Sequence, residues 1–175
     1  EEAYLKPIPF ILGDIRDRKK LKEQLEWADN VVWLSAIVGD GACAINPELT
    51  KKINQDSVKW LSENFNGRIV FMSTCSVYGA REGLLTEYSP TNPLSVYAQT
   101  KLEAEHYLKD KNAIIFRLGT LFGLGDNYSR IRLDLVVNTL TARAVSEGKL
   151  TVFGGEQYRP LLHVKDAARA IVQGL

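Results

Sequence analysis

Tyr97 and Lys101 stand four residues apart in a stretch, 94–111, whose composition predicts a helix, so their side chains rise from one face. A phenol of ordinary pKa, about 10, is a poor base at neutral pH, and a nearby ammonium favours its ionised form. Such a pair suits removal of the hydroxyl proton of a secondary alcohol while hydride leaves the same carbon. In the reverse direction it suits donation of that proton to a developing alkoxide. Tyrosine and lysine at this spacing more often decorate an ordinary helix surface. The preceding segment sets this pair apart: a buried strand over 68–72 ends in the hydroxyls Ser73 and Thr74, one long loop before the helix. Thr74 can orient a substrate oxygen, Tyr97 transfer the proton and Lys101 tune it.

The elements that must position these groups alternate. A short apolar strand is predicted over 9–13, ending at Gly13-Asp14, and Asp17 opens a helix with Leu21, Leu25 and Trp27 on one side. A continuous apolar run at 31–34 reads as a strand buried on both faces. A helix over 47–64 follows, with Pro47 in its first turn and Leu49, Ile53, Val58 and Leu61 along it. After the strand at 68–72 come a loop at 73–93, the helix at 94–111, a strand at 113–118 and a glycine-rich loop at 119–127. A helix over 133–147 stops at Gly148, short strands follow at 150–153 and 161–164, and a last helix covers 166–173. Strands alternating with helices of ten or more residues imply βαβ units and a parallel sheet covered on both faces, an α/β fold. Ligands of such sheets gather at the carboxyl ends of the strands. That directs attention to Gly13-Asp14, Ser35-Ala36, Ser73-Thr74 and Gly119-Thr120.

Composition sets bounds without naming a partner. The chain has 175 residues, 45% apolar and 25% charged, with net charge +1, the balance of a globular protein with a real core. So small a net charge argues against nucleic acid or an anionic membrane as partner. No apolar run approaches the ~20 residues that span a bilayer. Cys43 and Cys75 lack the spacing of a metal site, so no metal is expected, and two reduced thiols in a cytoplasmic protein are.

Several runs, in order, resemble those of the extended short-chain dehydrogenases/reductases, the NAD-dependent epimerase/dehydratase family. Phe71 through Gly79 (FMSTCSVYG) looks like the family's SS-x-x-VYG stretch, and Ser95 through Glu105 (SVYAQTKLEAE) like its Y-x-x-x-K helix. Phe116 through Gly123 (FRLGTLFG) resembles its R-x-x-x-x-y-G strand and loop. Val152 to Gly155, Arg159 and His163 through Asp166 resemble its late G-x-x-x-R-x-x-x-H-V-x-D segment. The resemblance covers nearly the whole chain. It implies a Rossmann-like, doubly wound parallel sheet, with a partial dinucleotide-binding domain at 1–122 and part of a small substrate-binding region at 123–175. It implies NAD or NADP as cofactor, a nucleotide sugar as substrate, and a homodimer formed through the helices at 47–64 and 94–111.

Residue by residue, the resemblance implies that Asp14 and Ile15 meet the adenine, and that Leu34, Ser35 and Ala36 run along the pyrophosphate and ribose. Asn54 and Ser73 would line that path, and Lys101 would hold the nicotinamide ribose beside Tyr97. Thr120 would lie where the loop passes nicotinamide and substrate, and Arg159 would grip a nucleotide diphosphate. Ser76, Asn138 and Thr74 complete the substrate side. Read as residues alone, several of these have other uses. Asp14 could cap the following helix, Asn54 could be a polar residue on a helix face, Arg159 could be a surface arginine, and His163 reads as structural.

The sequence departs from the family pattern in three ways. No G-x-x-G-x-x-G turn is present, so the chain as given is expected to enter the fold at its third strand. Cys75 and Ser76 stand where the family's 4,6-dehydratases carry an aspartate and a glutamate, which disfavours dehydration. Pro160 and Thr120 replace residues common in sugar-nucleotide enzymes, and the loop with Asp126, Arg130 and Arg132 could contact an anion. The expectation is an NAD(P)-dependent nucleotide-sugar epimerase. A net reductase or dehydrogenase with the same residues, and a non-catalytic cofactor-binding relative, are the alternatives.

Overall fold

The computed structural model describes residues 9–125, 132–156 and 158–175. They fall into two compact units, one of 11–117 with 173–175 and one of 118–172 with Pro9 and Phe10.

In the larger unit, strands β1 (Asn30–Trp33), β2 (Arg68–Thr74) and β3 (Ala113–Leu118) form a sheet in the order β1-β2-β3. β1 and β2 are parallel, with Asn30 opposite Arg68 and Trp33 opposite Phe71. β2 is central, and every residue after Arg68 is buried, which is why it reads as an unbroken apolar run. Helix α1 (Arg18–Leu25) starts at Asp17, whose carboxylate accepts the Lys20 N–H at 3.1 Å. Between β1 and β2 lie α2 (Asp40–Ile45), α3 (Pro47–Lys51), a π-helical segment at Lys52–Asp56, and α4 (Ser57–Asn64). Pro47 takes the first turn of α3, and the Asn46 side chain caps it by accepting the Leu49 N–H at 3.0 Å. Helix α5 (Val96–Leu108) links β2 to β3.

Successive residues of β2 point to opposite faces. Ile69 and Phe71, with Trp33, pack against Val58, Leu61 and Phe65 from α4 and its end, and against Ala104 and Leu108 of α5. Leu21 and Leu25 of α1 close the margin of this core. Each large side chain buried there contributes about 1.5–3 kcal/mol. On the other face a Cβ placed on Gly174 would stand between 3.4 and 3.6 Å from Val70, Ile114 and Phe116. Arg68 Nε secures that contact by donating to the Gly174 carbonyl at 2.8 Å. The layered, parallel α/β architecture expected from the alternation of elements is present.

In the smaller unit, β4 (Thr120–Phe122) pairs in parallel with β5 (Leu161–His163), with Thr120 opposite Leu161. Helix α6 (Val136–Glu147) ends at Gly148, whose φ of 64° gives the left-handed stop expected of that glycine. Helix α7 (Val164–Gly174) follows β5 directly.

Four expectations are corrected. Residues 9–13 form no strand: Phe10, Ile11 and Leu12 are at least half exposed, and no described strand lies alongside to pair with them. Residues 150–153 form none either, with Val152 and Phe153 exposed next to Gly154 and Gly155, both at positive φ. The glycine-rich loop contains β4, because Thr120–Phe122 finds a partner in a strand forty residues on, a pairing that local composition does not encode. Trp27 lies beyond the end of α1 and is 72% exposed, so it leaves the apolar side shared by Leu21 and Leu25.

Two glycines at positive φ separate backbone strain from steric conflict. Gly148 has no atom within 4 Å of an added Cβ, whereas at Gly79, with φ +70, that Cβ would meet the Asn92 carbonyl oxygen at 2.3 Å. Gly148→Ala is expected to cost about 1 kcal/mol from the left-handed backbone alone. Gly79→Ala is expected to cost clearly more, read as a larger drop in thermal midpoint. Equal losses would remove the Asn92 contact as a cause.

Candidate active site

Helix α5 is started by Ser95, whose hydroxyl accepts the Ala98 N–H at 3.2 Å and donates to Asp40 Oδ1 at 2.6 Å. Tyr97, Lys101 and Glu105 then succeed one another a turn apart. β2 delivers Thr74 at its end, where its hydroxyl accepts the Ser76 N–H and donates to Ser76 Oγ, both at 3.2 Å. These two elements bring Thr74, Ser76, Tyr97 and Lys101 to one place, with Cys43 and Asp40 of α2 and Cys75 beside them.

Burial dominates the electrostatics. It pushes the half-buried Tyr97 phenol above its ordinary value, against the Thr74 side chain, whose hydrogen bond favours the phenolate. Negative charge at Cys43, Cys75 or Asp40 acts in the same upward direction. Lys101 is 4% exposed, and burial pulls its ammonium down to about 8 despite the opposing pull of Glu105 and Cys43. Its Nζ lies 4.3 Å from the centroid of the Phe71 ring. The expected lowering of Tyr97 by Lys101 is absent, because desolvation disfavours the charged form of both groups and the ammonium sits over Phe71. Lys101 makes no hydrogen bond or ion pair among the described residues, so its donors are unspent.

The other candidates divide sharply. Leu34 and Ser35 are exposed and Ala36 half-buried in the irregular turn that follows β1. Asn54 pins that turn from the π segment, accepting the Ile37 N–H at 2.8 Å and donating to the Ile37 carbonyl at 2.9 Å. Its amide also reaches Thr100 Oγ1 at 3.5 Å, so Asn54 is a fully buried brace between the turn and α5 rather than a polar residue on a helix surface. Ser73 is buried and its hydroxyl donates to Glu105 Oε1. Asp14 does not cap α1, since Asp17 does. Its carboxylate instead accepts the Arg16 N–H at 2.8 Å and binds the Arg16 guanidinium at 2.6 Å, which lowers it to about 2. Ile15 packs against the core.

Thr120, Asn138 and Arg159 belong to the smaller unit. Thr120 is half-buried in β4 with its N–H donating to the Pro160 carbonyl at 2.8 Å, Asn138 donates to the Arg132 carbonyl at 3.0 Å, and Arg159 is exposed. Arg132 pairs with Asp134 at 2.7 Å, while Asp126 and Arg130 lie outside the described residues. His163 has the structural role read from sequence: its Nδ1 accepts the Lys165 N–H at 3.2 Å and its ring meets Phe122 edge-on at 5.2 Å. Among the described residues no cluster of His, Cys, Asp or Glu is arranged to hold a metal ion, and no helix is long and apolar enough to cross a membrane.

Sequence reasoning missed Glu105 and Arg117. Arg117 Nη2 donates to Glu105 Oε2 at 2.7 Å and Nε reaches both carboxylate oxygens at 3.1 Å, while Nη1 donates to the Tyr78 hydroxyl at 2.9 Å. The signal was available: an arginine inside the apolar strand Ala113–Leu118 requires a buried acid.

The family model described as "NAD dependent epimerase/dehydratase family" matches residues 1–175. A Bacillus subtilis protein described as an uncharacterized UDP-glucose epimerase, YtcB, is 35% identical over 58% of this chain and 33% of its own length. The N-acetyl-alpha-D-glucosaminyl-diphospho-ditrans,octacis-undecaprenol 4-epimerase of Escherichia coli O157:H7 is 25% identical over 94% of this chain and 50% of its own. Among solved structures, UDP-glucuronic acid 4-epimerase from Bacillus cereus, in complex with UDP-glucuronic acid and NAD, superimposes with a TM-score of 0.80 at 29% identity. That match covers 98% of this chain and 57% of the other. The chain thus spans half or less of the length of these curated relatives.

The buried ammonium has a measurable consequence for stability. Lys101 drops from 10.5 to about 8 on folding, so the unfolded chain binds more protons between those values and stability rises with pH across that window. Below about pH 8 the full penalty is present. Lys101→Met is expected to stabilise the protein at neutral pH by on the order of 2 kcal/mol and to abolish the alkaline rise, both read by urea unfolding. A less stable variant at neutral pH would show that desolvation is not the main effect.

Proposed function

Because the chain belongs to the NAD-dependent epimerase/dehydratase family, we propose that the protein is an NAD-dependent epimerase of a nucleotide sugar. The observation that carries this reading is the juxtaposition of Tyr97, Thr74 and a buried Lys101 with unspent donors. A desolvated ammonium suits a ligand with vicinal hydroxyls, which restore the hydrogen bonds lost on burial. The residues fit a dinucleotide on that ground, and the exposed backbone of the turn at 34–36, braced by Asn54, offers a surface for its pyrophosphate and ribose. Asp14 and Ile15 would meet the adenine, Ser73 supports the strand end and Ser76 would face the substrate; in the smaller unit, taken by itself, Thr120, Asn138 and Arg159 are proposed for the nucleotide sugar.

NAD, when bound, supplies a two-electron acceptor that takes hydride from the sugar carbon and returns it. The protein's own work is to move one proton at the Tyr97 hydroxyl. With its pKa raised, that phenol holds its proton at neutral pH and can donate it to an alkoxide. Accepting a proton requires the phenolate, which the Thr74 hydroxyl favours by hydrogen bonding. Thr74 also orients the substrate oxygen. Cys75 and Ser76 carry no carboxyl group for elimination of water, which supports epimerisation over dehydration. Net reduction is the second reading, since a protonated phenol is the donor that reduction needs. Two cysteines outside any disulfide support a cytoplasmic location.

In the full-length protein Tyr97→Phe is expected to retain NAD binding and to lose about 10²-fold or more in turnover. Unchanged turnover would remove Tyr97 from the chemistry. Supplying UDP-, GDP- and dTDP-sugars while following reduced-cofactor absorbance separates the two readings: isomerised product without sustained absorbance change indicates epimerisation, and a sustained change indicates net redox.

A further inference from the structure

One charged pair in the larger unit has no role in the proton transfer described above. Glu105 is 7% exposed, one turn beyond Lys101 on α5, and its carboxylate is held on two sides. Ser73, the residue before Thr74, donates to Oε1, and the Arg117 guanidinium of β3 binds both oxygens at 2.7 to 3.1 Å. Arg117 is fixed in turn by the Tyr78 hydroxyl at 2.9 Å and the Glu87 carbonyl at 3.2 Å, with its guanidinium carbon 4.9 Å from the Tyr78 ring centroid. The pair therefore joins the end of β2, the turn after it, α5 and β3.

We propose that Glu105, clamped by Arg117, is a positioning residue for Lys101 and Thr74: its negative charge keeps Lys101 an ammonium inside the protein, and its bond to Ser73 fixes the strand end that carries Thr74. Among the described residues, the groups that face Lys101 are few. The Phe71 ring of β2 lies over it, Cys43 approaches from α2, and Glu105 and Tyr97 flank it on α5. Cys43 is buried and its thiol is pushed up by that burial, so at neutral pH it brings no charge. Glu105, clamped by Arg117, is thus the carboxylate acting on Lys101, and it opposes the burial that draws the lysine toward neutrality. Arg117 makes that anion tolerable in the interior, because a buried carboxylate without a partner would take up a proton and lose its effect. The consequence for catalysis rests on the reading of Tyr97 and Lys101 as the acting pair; the effect on Lys101 itself does not.

The test is the titration of Lys101 in the full-length protein, followed by NMR of lysine labelled at Cε and Nζ. Glu105→Gln keeps a hydrogen-bonding group toward Ser73 while removing the charge. The Lys101 midpoint is expected to fall by about one unit, and NAD affinity to drop about fivefold near pH 8 but little near pH 6. A folded variant with an unmoved midpoint overturns the proposal. A lowered midpoint with unchanged NAD affinity at every pH supports it and instead defeats the assignment of Lys101 to cofactor holding. Should the variant fail to fold, the carboxyl carbon of Glu105 in the parent protein reports the same coupling. An inflection at the Lys101 midpoint is expected there, and a flat trace through it overturns the inference.

Discussion

Burying an ammonium without an ion pair of its own is the constraint on which the larger unit depends. Lys101 is 4% exposed, and water that would solvate it is replaced by an aromatic face at 4.3 Å and an anion one helical turn away. The anion needs Arg117, and Arg117 needs the Tyr78 hydroxyl and the Glu87 carbonyl. Each of these is a charge or dipole moved out of water, and every member beyond Lys101 itself has a hydrogen-bonding partner. It leads from Lys101 through α5 to β3, and through Ser73 to the end of β2. The strand termini where ligands of a parallel sheet gather are thereby tied to one charged network.

A second tether works with neutral groups. The π segment at Lys52–Asp56 places Asn54 fully inside, where its amide holds both backbone groups of Ile37 and touches Thr100. Thr100 in turn donates to the Tyr97 carbonyl at 3.0 Å. The turn after β1 and the first turn of α5 are therefore coupled through two side chains, Asn54 and Thr100. An irregular backbone such as the turn at 34–38 cannot satisfy its own polar groups, and Asn54 supplies what a strand neighbour would have supplied.

These tethers explain what was legible in the sequence. β2 was readable because its apolar run is buried on both faces, β3 because its run is apolar except for Arg117, and α5 because the composition of 94–111 is helical. The cluster of Thr74, Tyr97 and Lys101 was readable because a fixed i, i+4 spacing and a strand end can be recognised from residue types. The direction of the pKa effects was not, since it depends on desolvation, which belongs to the folded state alone. Nor was β4, whose partner Leu161–His163 is distant in sequence. The apolar runs at 9–13 and 150–153 misled for a related reason: hydrophobicity marks a possible strand, and a neighbour with unpaired backbone groups makes one. Asn54 was singled out from a resemblance, yet its bonds show it bracing backbone, a role that only the π geometry reveals.

Burial pushes Tyr97 and Lys101 in opposite directions on the pH scale, but toward the same outcome, the neutral form of each. Left to desolvation the two groups would be a phenol and an amine, a pair with little mutual attraction. Glu105 breaks that symmetry on the lysine side and Thr74 on the tyrosine side, one by charge and the other by hydrogen bonding. The ammonium–phenolate pair is therefore a state just out of reach of the polypeptide alone. Hydroxyls brought to Lys101 by a ligand would restore part of its lost solvation, favour the ammonium and, through its charge, lower the cost of ionising Tyr97. Proton transfer would then be coupled to occupancy of the site beside Lys101.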